Sequence, residues 1–365
     1  MNEQATTDLL KSEELVLSSS PHIHSRDTVR KIMLKVIIAL LPALVAAVVL
    51  FGLPALRVIL VSVASCVAAE AIWLKLAKKP LTPLGDLSAA LTGILLAMNL
   101  PAGASWWICV VGSFIAIWVG KQVFGGIGHN IFNPALVGRV ALLVALPAAL
   151  TTWTPTRFQM MEHEAGKEVY GLVDSGGYVT TATPLGLVGA SKARHSGEGY
   201  AFAKIENKQK YWDYFIGNRP GSLGETCIAA LLLGGVALIF MGLIPWQIPV
   251  SYIGTVVLFT GIVHYISPQT TPTPLFHVLS GGLVLGAFFM ATDMVTSPMT
   301  RAGWLLFGFG CGVLTCVIRL WGGYPEGVSF AILLMNAIVP LIDKLCSLRP
   351  FGYVRRTAQQ SGGAR

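Results

Sequence analysis

Three sets of residues in this chain have the types and spacing that chemistry requires. The first is Tyr178-Val179-Thr180-Thr181-Ala182-Thr183-Pro184-Leu185, in which three hydroxyls crowd one short stretch ending at Pro184-Leu185. A residue before proline is held extended, so the Thr183 hydroxyl is expected to stand out for a modifying enzyme or a ligand. The competing reading is a threonine-rich turn whose hydroxyls bond its own backbone. The second set is Gly125-Gly126-Ile127-Gly128-His129-Asn130-Ile131-Phe132-Asn133-Pro134. Its glycines let backbone approach a flat ligand, and Asn130 and Asn133 face one way if a helix begins here. A carboxamide both donates and accepts, which suits the carbonyl and imide edge of an isoalloxazine or a quinone. The competing reading is a capped helix start, with Asn130 as the cap and Pro134 in the first turn. The third is Glu70, an acid inside an apolar run with no basic residue one helical turn away. An ionisable group at the centre of a span costs about 2.5 to 3.5 kcal/mol on insertion scales, which marks Glu70 for an ion path or for a bond to another helix.

The elements that must position these groups are helices in a bilayer. The chain is 54% hydrophobic and only 12% charged, with a mean hydropathy of +0.66, about half the charge of a soluble domain. A hydrocarbon core of about 30 Å needs roughly 20 apolar residues per helix. Ten segments qualify as spans: Ile32–Gly52, Leu53–Ala77, Leu87–Leu100, Ser105–Phe124, Ile131–Leu150, Leu223–Trp246, Ile248–Ile266, Leu275–Ala291, Ala302–Trp321 and Glu326–Leu345. The formal net charge of +8 then reads as topology and contact with anionic lipid rather than as a nucleic-acid surface. Residues 1–27 are polar and carry acids, unlike a cleavable signal. Arg26, Arg30, Lys31 and Lys35 cluster at the first span, Lys75, Lys78 and Lys79 close the second, and Lys121 ends the fourth. The turns at 52–54 and 101–104 carry no basic residue. This alternation places both termini in the cytoplasm and the long polar loop outside, in the periplasm. The domain plan is therefore a tail at 1–27, five helices over 28–150, an external loop at 151–222, five helices over 223–346 and a basic tail at 347–365.

A repeat crosses the loop. Pro83-Leu84 leads to Leu87-Ser88-Ala89-Ala90-Leu91 and Gly93, as Pro274-Leu275 leads to Leu279-Ser280-Gly281-Gly282-Leu283 and Gly286. Trp107 precedes Gly125-Gly126 as Trp304 precedes Gly322-Gly323. An odd number of crossings separates the two halves, so they are inverted, an arrangement that commonly builds a midplane site from interrupted helices. Close packing through small residues is the competing explanation.

Other chemistry finds little support. Cys66, Cys109, Cys227, Cys311, Cys316 and Cys346 lie in or at the ends of apolar segments without the spacing of a cluster or zinc site, so no metal is expected. His129, His264 and His277 fall near helix ends and read as interfacial, and His22 and His24 sit in a polar tail. Arg57, Arg139, Arg319, Asp86, Asp293 and Asp343 lie near enough to span ends to reach the interface. Neither a dinucleotide fingerprint nor a P-loop is present.

The ten-span plan, Gly-His-Asn-Ile-Phe-Asn-Pro-Ala at 128–135 and Thr180-Thr181-Ala182-Thr183-Pro184-Leu185 together resemble a known family. It is that of the D subunits of Rnf ion-translocating electron-transport complexes, with the B subunits of the sodium-translocating NADH:quinone oxidoreductase as its sister. The resemblance runs from about Arg26 to Arg356. It implies that a flavin transferase joins FMN through its phosphate to a threonine in a Ser-Gly-Ala-Thr-like motif. Thr180 stands for the serine, Thr181 for the glycine, and Ala182-Thr183 match, so Thr183 is the implied acceptor. It also implies a second, noncovalent flavin, riboflavin, for which Asn130 and Asn133 are the candidates. Implied partners are the other membrane and peripheral subunits, among them a second flavinylated subunit and iron–sulfur subunits, in the inner membrane. The expected function is electron transfer through bound FMN in a ferredoxin- and NAD-linked redox pump, with this chain catalytically incomplete alone. The inverted five-plus-five layout is similar to the urea-transporter fold, and the rival readings are a solute channel or secondary transporter and a purely structural anchor.

Overall fold

The computed structural model describes residues 27–165, 172–174, 179–186, 188, 208–268, 271–322 and 326–347. Of the two polar tails only Asp27 and Ser347 fall within them; His22, His24 and Tyr178 lie outside the described residues.

The first half holds α1 (Val29–Phe51), α2 (Leu53–Leu76), α3 (Ser88–Met98), α4 (Trp106–Phe114, running on as a π-helical stretch, Ile115–Gln122) and α5 (Pro134–Ala145). Two short helices, α6 (Pro147–Thr151) and α7 (Arg157–Glu164), lead into the polar loop. There β1 (Leu172–Asp174) pairs antiparallel with β2 (Val179–Thr181), Val173 opposite Thr180, before α8 (Lys208–Ile216). The second half holds α9 (Ile228–Phe240), α10 (Gln247–Ile266), α11 (Pro274–Leu279), α12 (Leu283–Leu285, running on as a π-helical stretch, Gly286–Met290), α13 (Arg301–Trp321) and α14 (Val328–Leu345). Five helices, α1, α2, α10, α13 and α14, are long and apolar enough to cross a membrane, and four shorter apolar helices stand among them. The chain is a multi-pass helical membrane protein, with one two-stranded ladder among the described residues.

Polar caps start many of these helices. Thr28 accepts from the Lys31 amide, Asn133 from Ala135 and Leu136, Thr273 from Phe276 and Thr300 from Gly303. Each satisfies a backbone donor that the helix leaves orphaned, and Pro134 and Pro274 fill the first helical position, where no amide is needed. The expected span over Ile131–Leu150 is broken instead, because Pro147 cannot continue a helix and α6 starts afresh there. The span expected over Leu275–Ala291 is likewise interrupted at Ser280-Gly281-Gly282, with Gly281 at φ +69°.

Helix contacts within each half can be set side by side. α2 packs against both α3 and α4, and α10 packs against α11 and α13; α4 packs on α5 as α13 packs on α14. α1 and α9 meet across the middle, where Gly234 lies so near the Ala39 carbonyl that no side chain fits between them. One end of the bundle gathers the Gly52 turn against Arg157, Gly103 against Thr154, and the Leu223 amide on the Leu100 carbonyl at 3.1 Å. The opposite end gathers Ile32, Ile127, Asn130, Ile244 and Asp293 around a cleft.

Candidate functional site

Thr183 sits on a docked turn rather than a free one. Leu185 and Val188 bury against Tyr214 of α8 and Phe276 of α11, a small apolar cluster separate from the main core. The Thr183 side chain is only 3% exposed, and its Oγ1 accepts the Gly186 amide at 3.0 Å. The expectation of a projecting hydroxyl is therefore corrected: the oxygen caps a helical turn at 184–186. The signal is present in the sequence, since Thr183-Pro184-Leu185 repeats the Thr273-Pro274-Leu275 that opens α11, with Pro at the first position and the threonine oxygen on the third amide. Thr180 and Thr181 lie on β2, where a β-branched residue suits the extended backbone.

Beneath this turn lies the break between α11 and α12. A Cβ on Gly281 would meet both Leu185 and the Arg319 guanidinium, so only a glycine lets all three approach. Arg319 Nη1 donates to the His277 carbonyl at 2.6 Å and Nη2 to that of Ser280 at 3.1 Å, while Arg219 donates to the carbonyls of Leu279 and Glu225. Two guanidinium groups thus satisfy the carbonyls that end α11 and sit favourably at its negative end. Burial lowers the Arg219 pKa, and the Glu225 carboxylate opposes that shift. Arg139 and Arg319, expected to reach the interface, are buried, and so is His277. Arg139 pairs with Glu326 and donates to Asn99 Oδ1 at 2.9 Å, tying α5 to the residues just before α14. Chain position misleads here, because neighbouring helices extend past these residues and close them off.

At the other end, Asn130 and Asn133 line one cleft with about 830 Å³ of empty space, its open mouth included. Ser88, Thr92, Lys121, Thr292 and Asp293 supply its other polar wall, and Phe288, Phe289, Leu91, Leu95 and Leu238 its apolar one. That mixture of an apolar wall and a few convergent polar groups suits a planar ligand with a polar edge. Asn133 is committed elsewhere: its Oδ1 caps α5, and its Nδ2 donates to the Met290 carbonyl at 3.3 Å. Asn130, which precedes the helix, donates to the Phe132 carbonyl at 3.1 Å. The two carboxamides therefore do not act as a matched pair on one helix face, and Asn133 rather than Asn130 is the cap.

Glu70 is fully buried on α2. Its Oε1 accepts from Lys121 Nζ at 2.5 Å and Gln122 Nε2 at 2.7 Å, both from the π-helical stretch after α4. Lys121 also donates to Ser88 Oγ at 2.6 Å, and Ser88 Oγ donates to Asp86 Oδ1 at 2.5 Å. Lys121 is 3% exposed, so it is no interfacial topology marker but the partner that Glu70 requires. Sequence reading misses the pair because its members lie 51 residues apart; the remaining clue is a lysine inside the apolar run Ile115–Val123.

Comparison with known proteins extends over the whole of this arrangement. The profile of the NQR2, RnfD, RnfE family matches residues 16–352. The chain is 45% identical over 348 residues, 94% of this chain and 98% of the other, to the D subunit of the proton-translocating ferredoxin:NAD(+) oxidoreductase complex of Clostridium ljungdahlii. It is 44% identical over 343 residues, 93% and 96% of the two chains, to the D subunit of the Na(+)-translocating ferredoxin:NAD(+) oxidoreductase complex of Acetobacterium woodii. Identity to the D subunit of the ion-translocating oxidoreductase complex of Stutzerimonas stutzeri is 45% over 333 residues, 90% and 93%.

Proposed function

The chain belongs to the NQR2, RnfD, RnfE family, and we propose that it is the D subunit of an ion-translocating ferredoxin:NAD(+) oxidoreductase complex, carrying electrons through FMN esterified to Thr183. It is a membrane subunit of an electron-transport complex and works as part of a multi-subunit enzyme. The observation that carries this is kinship at 45% identity over 94% of the chain and 98% of the relative. The finer reading has ten crossings in two inverted halves, both termini in the cytoplasm of an inner membrane and the Thr183 loop in the periplasm. The similar helix contacts of the halves support the repeat. The placing of the 52–54 and 101–104 turns at one end, against Arg157 and Thr154 of the long loop, supports the topology, since those two turns carry no basic residue and long loops cross regardless of their charge. The surroundings are lipid, a flavin transferase acts during maturation, and the partners include a second flavinylated subunit and iron–sulfur subunits.

FMN, when bound, supplies passage between one- and two-electron steps through its own ring chemistry. The protein's residues do the rest. Thr183 tethers the cofactor, and Leu185 and Val188 hold the tether against Tyr214 and Phe276. Arg219 and Arg319 hold the helix break below in place. Because Oγ1 is buried and bonded to Gly186, the turn would have to undock for a flavin transferase to reach it. In the cleft at the cytoplasmic end, Asn130 and Lys121 address a noncovalent riboflavin, Asn133 shapes the helix start beside it, and Glu70 borders the ion path.

The test is in-gel fluorescence of the denatured chain produced with a flavin transferase. Fluorescence is expected at the chain's position and is expected to vanish in Thr183→Ala, while Thr180→Ala and Thr181→Ala retain it. A dark wild-type band returns the chain to the channel or anchor readings.

A further inference from the structure

The Lys121 ammonium belongs both to the cleft and to the Glu70 network. It lines the cleft beside Ser88, and it is clamped from behind by Glu70 Oε1 at 2.5 Å and Ser88 Oγ at 2.6 Å. An ammonium has three donors and no acceptor, so two are spent on the clamp and one remains on a group that borders the cleft. Two contacts hold the end of a lysine's flexible four-carbon stem in place. Gln122, its neighbour in sequence, donates to the same Glu70 oxygen at 2.7 Å. Two consecutive residues reach one acceptor from a π-helical stretch, a feature often met at functional sites. Glu70 Oε2 is buried and has no hydrogen-bond partner among the described residues, so all of the carboxylate's hydrogen bonds fall on Oε1, the oxygen that faces Lys121. Leu87, at φ +65°, turns the chain sharply so that Asp86 Oδ1 can accept both the Ser88 amide at 2.8 Å and its hydroxyl at 2.5 Å. That leaves the lone pairs of Ser88 Oγ to Lys121. The other charge on the cleft wall, Asp293, takes the Thr296 hydroxyl at 3.1 Å.

We propose that Lys121 is the positioning residue that holds the electron-rich edge of a planar redox ligand in this cleft, and that Glu70 sets how much of the ammonium's charge that ligand feels. This rests on the reading of the cleft as a noncovalent flavin site. A ring that gains electrons gains negative charge on its carbonyl and imide edge. An adjacent ammonium in a water-poor site binds that state more tightly than the oxidised one. Glu70 competes with the ligand for the same ammonium, so the two substitutions have opposite signs. Without Lys121, the cleft prefers the reduced ring less; without the Glu70 charge, it prefers it more.

The experiment uses the purified, detergent-solubilised complex depleted of riboflavin, titrated with oxidised and with dithionite-reduced riboflavin while fluorescence and absorbance report binding. The ratio of the two affinities is the readout. Lys121→Met is expected to lower the reduced-to-oxidised preference about tenfold and Glu70→Gln to raise it by a similar factor, with the covalent flavin at Thr183 unaffected in both. Should Lys121→Met fail to accumulate because Glu70 is stranded, Glu70→Gln is compared with Glu70→Gln/Lys121→Met, which carries neither charge. A lost preference in the double variant supports the proposal, and an equal one overturns it. Equal ratios in wild type and single variants, or shifts of the same sign, also overturn it while leaving the flavin site standing. Wild-type complex that binds neither form of riboflavin sinks the cleft reading itself, and the Lys121 role with it.

Discussion

Glu70 and Lys121 neutralise each other where neither reaches water, and this fixes the consequence of altering either one. Removing one partner of a buried pair strands the other charge at a cost of about 3 to 5 kcal/mol, whereas removing both is often close to neutral. Lys121→Met is therefore expected to lower the thermal stability of the solubilised chain markedly, and adding Glu70→Gln to it to recover most of the loss. Equal destabilisation in the single and double variants contradicts a paired role. Thr183 caps its turn and is also the proposed flavin acceptor. As a cap it contributes about 1 kcal/mol to its turn, so Thr183→Ser is expected to keep both the docked turn and the flavin, while Thr183→Ala loses both.

Among the elements, the interrupted helix α11–α12 shows most plainly how backbone and loop depend on each other. A methyl placed on Gly281 lies 2.8 Å from Leu185 Cδ1 and 2.9 Å from Arg319 Nη2, at a backbone angle of φ +69° that other residues adopt with strain. Gly281→Ala is expected to weaken docking of the Thr183 turn by about 1 to 3 kcal/mol, seen as faster proteolysis between Thr151 and Gly221 with the helices left intact. Unchanged cleavage separates the loop from the break. This is also the scale at which the sequence is most and least readable. The apolar lengths of α1, α2 and α13 and the matched motifs around Ser88 and Ser280 are local patterns, and they can be read one residue at a time, whereas the cap read at Asn130 falls at Asn133. The docking of Leu185, the burial of Arg139 and the Glu70–Lys121 pair depend on which helix lies beside which. A linear pattern of apolar residues does not encode that, and so the Thr183 hydroxyl reads as exposed and Lys121 as interfacial until the helices are packed.

Over the whole molecule, the two proposed flavin positions lie at opposite ends of one bundle: the Thr183 turn above the α11–α12 break, the Asn130–Lys121 cleft beside the start of α1. Both halves are locked together between them by the α1–α9 crossing at Gly234 and by the Arg139–Glu326 pair. The topology makes a direct prediction, because Met161 in α7 and Lys79 after α2 are both exposed. In intact cells a membrane-impermeant thiol reagent is expected to label Met161→Cys and to spare Lys79→Cys until the membrane is opened; the reverse pattern inverts the assignment of sides. The covalent cofactor is tested most directly by the mass of the Thr183-containing peptide from chain produced together with a flavin transferase. One FMN is expected on that peptide and on no other, absent from Thr183→Ala, and an unmodified peptide from fully matured complex contradicts electron transfer through this subunit's loop.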